Sequence, residues 1–256
     1  MVMATAGVAG QPVLELVGLG KEFGAIRALH GVDMQIFPGE VVGLMGDNGA
    51  GKSTLVKIIA GNFRPSHGEI HFEGKTAHFH RPVDARAVGI EVVYQDLALA
   101  DNLTAAANVF LGRELKRSFG PLSFLDHKAM DARALELFGE LRTETRPHHL
   151  VKQMSGGQRQ AIAIARTRLS NAKLVLMDEP TAAISVRQVE QVLSLIHRLK
   201  EQGVAVMLIS HRMPDVFAVC DRVVVMRRGE KRADKPIRDT SPEEVTALIT
   251  GAQEMA

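Results

Sequence analysis

Apolar positions along this chain follow two rhythms. Short apolar runs at residues 13–17, 29–36 and 41–45 are separated by Gly18, Gly20, Gly24, Gly31 and Pro38-Gly39. That spacing predicts several short strands joined by tight turns. A glycine-rich stretch follows the third run and opens a helical pattern over 53–60 that stops at Gly61. Strands are also predicted near 69–72 and 91–94. From about Asp96 to Leu169 the pattern turns helical, with helices over 104–112, 127–141 and 156–169 and few strands. Beyond it, 174–177, 205–209 and 222–226 read as buried strands, separated by helices at 186–201 and 214–219. Such alternation predicts an α/β fold with a mostly parallel core sheet, an N-terminal antiparallel β subdomain and an inserted helical subdomain. The expected division is a flexible start over 1–12, one domain over 13–251 with its helical insertion at about 96–170, and a tail over 252–256.

Length and charge narrow this picture. The 256 residues suit one large domain or two small ones, at roughly 100–200 residues each. The 31 Lys+Arg nearly balance 29 Asp+Glu, which argues against a dedicated nucleic-acid binder. A lone cysteine, Cys220, forms no internal disulfide and fits a reducing, cytoplasmic compartment. The longest apolar runs, at 204–209 and 223–226, fall far short of the roughly 20 residues that cross a bilayer. The opening ten residues lack the basic stretch of a signal peptide.

The chemistry begins at Gly46-Asp47-Asn48-Gly49-Ala50-Gly51-Lys52-Ser53, followed by Thr54. It fits GxxxxGK[ST] between a predicted strand and a predicted helix, the P-loop context of a nucleoside triphosphatase. Glycines let successive N–H groups face one anionic centre, and the helix adds its positive end. Lys52 is a mobile cation for the β- and γ-phosphates, and the Ser53 hydroxyl is a Mg²⁺ ligand by type. Downstream, the run 174–177 ends in Asp178-Glu179. A buried parallel strand delivers its last residues to the ligand crevice, so Asp178 is placed to hold Mg²⁺ and Glu179 to polarise an attacking water. Together these motifs imply Mg²⁺-dependent hydrolysis or transfer of a nucleoside triphosphate.

A second anion-binding helix start is predicted at Ser155-Gly156-Gly157-Gln158, where Ser155 and Gln158 are spaced as a capping box. With this segment in place, the ordered set resembles the ATPase subunit of an ATP-binding cassette transporter. The set is the loop at 46–53, Gln95, Ser155-Gly156-Gly157-Gln158, Asp178-Glu179 and Ser210-His211. The similarity runs from about Val13 to Gly251. It implies ATP and Mg²⁺ as ligands. It also implies that Phe23 stacks on adenine, that Gln95 contacts Mg²⁺ and the attacking water, and that His211 contacts the γ-phosphate and orients the water with Glu179. In that family two subunits pack head to tail, so Ser155 and Gly157 would close on nucleotide held by the other copy.

Finer stretches are similar to the ATPases of bacterial monosaccharide importers of the ribose, xylose and fructose type. They are 94–99, 108–114, 211–216 and 246–251. The partners so implied are a second copy, an integral membrane permease and, indirectly, a periplasmic sugar-binding protein. The expected place of work is the inner face of the cell membrane. The alternative is a soluble cassette ATPase serving DNA repair, cluster assembly or translation. Two positions depart from the family pattern: Ser185 stands where an Asp is usual and Met154 where a Leu is usual. Three features are set aside. His78 and His80 would alternate on one strand face, and His148-His149 are adjacent, but no Cys or carboxylate cluster joins either pair to hold a metal. The basic run 227–238 is interleaved with acids and predicts a solvated hairpin, and Cys220 predicts a small buried hydrophobe.

Overall fold

The computed structural model describes residues 10–119, 122–182 and 184–252. Of the expected start at 1–12 and tail at 252–256, residues 1–9 and 253–256 lie outside the described residues. The chain begins with strands β1 (Leu14–Phe23), β2 (Ile26–Ile36) and β3 (Val41–Met45), then helix α1 (Lys52–Ile59). Strands β4 (His67–Phe72) and β5 (Lys75–Thr76), helix α2 (Pro82–Ala87) and strand β6 (Ile90–Val93) follow. The middle of the chain holds α3 (Ala105–Val109), the hairpin β7 (Lys116–Phe119) and β8 (Leu122–Leu125), then α4 (His127–Glu140) and α5 (Gly156–Leu169). The last part is β9 (Leu174–Asp178), α6 (Val186–Glu201), β10 (Ala205–Ile209), α7 (Met213–Val219), β11 (Arg222–Arg227), β12 (Glu230–Pro236) and α8 (Pro242–Thr250).

A six-stranded sheet in the order β12-β11-β3-β10-β9-β6 forms the centre. Every pairing in it is parallel except β11 with β12. Successive side chains on a strand face opposite ways, and two cores divide along that rule. Val42 and Leu44 of β3, Leu174 and Leu176 of β9, and Met207 of β10 pack with α1 and the antiparallel sheet β2-β1-β4-β5. Val41 and Met45, Val175 and Met177, and Val206 and Leu208 pack on the other face, against α4, α5 and α6. Being buried on both faces is what makes these strands unbroken apolar runs rather than alternating ones.

The structure is an α/β P-loop fold with the predicted antiparallel and helical parts, and it differs from the expectation in detail. The helical stretch contains the β7–β8 hairpin, whose Leu122 and Phe124 are 61% and 58% exposed. With every described side chain of the hairpin exposed, it gives no alternation to read. β1 continues past the predicted end to Phe23, its pairing shifted in register after Leu16 and again after Leu19. Helix α3 is shorter than predicted, and α2 and α8 were not expected. His78 and His80 are exposed on irregular chain beyond β5, so they share no strand face. The run 227–238 does form a hairpin, with Arg232 2.8 Å from Glu230 and Lys231 3.3 Å from Asp234.

Candidate functional site

Strands β3, β10, β9 and β6 are consecutive neighbours in the sheet and all parallel. Their C-terminal ends therefore share one edge. The loop at 46–53 leaves β3 there, His211 follows β10, Asp178 and Glu179 close β9, and Gln95 lies in the turn after β6. Residues far apart in sequence are thus brought to one crevice, the usual ligand position in open parallel sheets.

The loop's shape is set by its glycines. Gly46 has φ +150°, and a Cβ there would sit 2.2 Å from the Met226 carbonyl oxygen, so only glycine fits. Ala50 N–H donates to Asp47 O at 3.1 Å, and α1 opens at Lys52 with no acidic residue in its first turn. Lys52 is buried, and its ammonium donates to Gly46 O at 2.5 Å and Asp47 O at 2.9 Å. Burial pulls its pKa below the usual lysine range, opposed by the carboxylates of Glu179, Asp47 and Asp178. Ser53 is exposed on the first turn of α1, with Thr54 beside it.

Burial pushes the Asp178 carboxyl above the usual aspartate range, and the neighbouring charge of Glu179 pushes the same way; Lys52, His211 and Lys57 oppose it. A hard divalent cation would relieve both causes, since it repels the proton and screens one carboxylate from the other. Asp178, the Ser53 hydroxyl and the Gln95 side-chain oxygen are all oxygen donors, the kind Mg²⁺ selects. The residues therefore fit a magnesium ion.

Glu179 has φ +48°, the left-handed region, and its N–H donates to Ile209 O at 2.9 Å. Strain of that kind costs on the order of 1–3 kcal/mol and persists only where the surroundings fix it. Here it turns the side chain back toward β10, where Glu179 Oε1 lies 2.6 Å from His211 Nε2. Phe23, at the end of β1, is half exposed. Its ring meets Phe63 edge-on at 5.4 Å, and Lys21 Nζ lies 5.0 Å from its centroid.

Ser155 and Gln158 form the expected reciprocal cap on α5. Ser155 Oγ accepts from Gln158 N–H at 3.3 Å, and Gln158 Oε1 accepts from Ser155 N–H at 3.0 Å. Ser155, Gly157 and Gln158 line a cavity of about 630 Å³ with one side of α6, from Ser185 to Arg198, and the chain just after α4. No residue of the 46–54 loop lines it. The predicted site residues thus fall in three places: the crevice, this capped helix start, and Phe23 at the end of β1.

Four further arrangements escaped the sequence reading. Ser185, noted only as a departure, caps α6: its N–H donates to Gln188 Oε1 at 2.9 Å. The repeated S-x-x-Q spacing was the signal. Buried Glu91, on β6, accepts from Arg113 at 2.6 Å and from Ser170 Oγ at 2.6 Å. Arg166 of α5 donates to Ala98 O at 3.0 Å and Asn108 O at 2.7 Å, tying the turn after Gln95 to the capped helix. Finally, Thr181 Oγ1 donates to buried Asp215 at 2.6 Å. Neither of the last two left a sequence pattern.

The chain is similar to known proteins in sequence and in fold. A family model described as ABC transporter matches residues 29–182, more than half the chain. The xylose/arabinose import ATP-binding protein of Sulfolobus acidocaldarius is 45% identical over 239 residues, 93% of this chain and 94% of that protein. The fructose import ATP-binding protein of Rhizobium meliloti is 42% identical over 252 residues, 96% and 97% of the two. A ribose import ATP-binding protein of Geobacillus kaustophilus is 40% identical over 94% of this chain, which spans 48% of its length. Among solved structures, a dimeric ATP-binding cassette in a post-hydrolysis state bound to ADP and phosphate is 28% identical, with a TM-score of 0.71 over 88% of this chain and 99% of that one. A nucleotide-free cassette superposes with a TM-score of 0.78 at 24% identity, over 93% of this chain and 95% of that one. With the phosphate loop, the capped Ser-Gly-Gly-Gln helix and the Glu179–His211 pair in one chain, these matches make the protein a member of the ABC transporter family, an ATP-binding cassette ATPase.

Proposed function

We propose that this chain hydrolyses ATP to drive import of a monosaccharide through a separate membrane permease, working as a head-to-tail pair at the cytoplasmic face. The observation that carries the reading is the shared sheet edge, where Lys52, Asp178, Glu179 and His211 converge. The sugar-import relatives supply the substrate class. The cassette is taken as residues 13–251, with its helical arm at about 96–170. Among the described residues no helix is long and apolar enough to cross a membrane, and the route for the sugar is proposed to be a separate permease.

In this reading each residue has a role. The N–H groups of the loop at Gly46, Asp47, Asn48, Gly49, Ala50 and Gly51, with Ser53 and Thr54 at the start of α1, cradle the phosphates. Lys52 exchanges its two carbonyl acceptors for phosphate oxygens. Phe23 offers its half-exposed ring to the base. Asp178, Ser53 and Gln95 would hold Mg²⁺, which when bound supplies positive charge to the phosphate oxygens. Glu179 takes the proton of the attacking water, and His211 fixes the Glu179 carboxylate and donates toward the γ-phosphate. Ser155, Gly157 and Gln158 close on the nucleotide of the other copy, which explains why they line a cavity apart from this chain's own loop. A periplasmic sugar-binding protein selects the cargo upstream of the permease.

The test is ATP turnover and permease capture. Lys52→Ala should lower phosphate release by about 100-fold or more, and unchanged release would reject the phosphate-site assignment. The tagged chain should copurify with an integral membrane protein; copurification with nucleic acid instead would favour the non-transport cassettes.

A further inference from the structure

The crevice depends on two loops that leave neighbouring strands. Strands β9 and β10 pair in register up to Asp178 opposite Ile209, and Glu179 N–H adds a last backbone bond to Ile209 O at 2.9 Å. Beyond that point the ladder ends. The next tie between the loops is made by side chains. Thr181 Oγ1 donates to Asp215 Oδ2 at 2.6 Å, two residues after Glu179 and four after His211. Thr181 is 2% exposed and Asp215 3%. The same carboxylate oxygen lies 3.2 Å from Arg212 Nε, on the residue that follows His211. Arg212 N–H in turn donates to buried Ser210 Oγ at 3.0 Å, on the residue that precedes it.

A carboxylate is expensive to bury unless it is paired and hydrogen-bonded. Asp215 is paired, and both of its partners sit beside the reacting groups. Thr181 holds the chain leaving Glu179, and Arg212 holds the chain leaving His211. Glu179 Oε1 and His211 Nε2 are then left 2.6 Å apart on loops that the sheet itself no longer joins. Building on the ATPase reading, we propose that Asp215 and Thr181 are positioning residues. They clamp the two loops together so that His211 stays registered on Glu179 while the water is activated.

Three variants test the clamp. Thr181→Val keeps the shape and removes the donor. Asp215→Ala removes the acceptor, whereas Asp215→Asn keeps an oxygen for Thr181. Thr181→Val and Asp215→Ala should lower kcat about tenfold or more, as misplacement of reacting groups does, with the KM for ATP moving less than about twofold. Asp215→Asn should recover most of the rate. In a His211→Ala background, Thr181→Val should change kcat no further, because the group it positions is gone. Equal losses in both backgrounds, or a loss confined to KM, would show a merely structural contact and overturn the proposal. A second measurement does not depend on turnover. In the ¹⁵N-histidine spectrum of the whole chain, the His211 ring signals, identified with His211→Ala, should shift in Thr181→Val. Unmoved signals would overturn the clamp even if the ATPase reading itself failed, and Thr181→Val decides the matter should Asp215→Ala not fold.

Discussion

Gly157 and Gln191 stand so close that one added carbon would collide: a Cβ on Gly157 would come within 2.5 Å of Gln191 Oε1. The atom met is the tip of a flexible side chain, so the fold can yield. Gly157→Ala should cost only about 1 kcal/mol, the low end of overpacking, by urea unfolding. It should nevertheless cut ATP turnover about tenfold or more, because the methyl and the displaced amide would occupy the helix start proposed to meet the other copy's nucleotide. Wild-type turnover in a folded variant would remove Gly157 from the site.

Glu179→Gln keeps the side-chain shape and removes the base. Phosphate release should fall by about 10²–10⁴-fold while ATP still binds. Light scattering should then show an ATP-dependent dimer. A variant that stays monomeric at saturating ATP would count against a composite site.

The Glu91 network joins the sheet to the capped helix. Removing one partner of a buried pair leaves the other uncompensated, so Glu91→Ala should destabilise the protein by about 3–5 kcal/mol. Arg113, the partner at 2.6 Å, is itself only partly exposed. Denaturant unfolding measures the loss, and a change under about 1 kcal/mol would mean the charges are solvated after all.

Cys220 supplies a pH test. Burial pushes its thiol well above the usual cysteine range, helped by the charge of Asp221. A group whose pKa is raised by folding contributes stability below its unfolded pKa and loses it as pH climbs above. The thiol term is therefore fully present below about pH 8.5 and declines at higher pH. Wild type should lose unfolding free energy between pH 8 and 10 relative to Cys220→Ala. A disulfide reagent at pH 8 should label the unfolded chain rapidly and the native chain hardly at all; rapid native labelling would contradict the burial.

What the sequence made legible tracks what burial and capping write into it. Strands β3 and β10 and helices α5 and α6 fall where the pattern puts them. The strands are apolar on both faces, and each of these helices starts at an S-x-x-Q cap. Helix α8 carried a comparable mark, with Ser241 Oγ accepting from Glu244 N–H, but it went unread. The β7–β8 hairpin could not be read, since its described side chains are exposed and its strands are short. In the site, single-chain motifs located Lys52, Ser53, Asp178, Glu179 and His211. The Thr181–Asp215 bond could not be foreseen, because 34 residues separate its partners and only the register of β9 on β10 brings them together.

Strand order carries a last consequence. The chain leaves the central sheet at the end of β6 and returns on β9, its immediate neighbour. Everything between is a long excursion whose two feet stand one strand spacing apart, about 4.8 Å. Loop closure depends only weakly on length, so the feet themselves leave the arm's length free; the packing of α4 and α5 in the core is what restricts it. The sheet edge is in that sense the fixed part of the fold and the arm the part that can vary. A graft of that arm onto another cassette would carry Gln95 and the helix start at 155–158 with it, and leave Lys52, Asp178, Glu179 and His211 in place on the sheet edge.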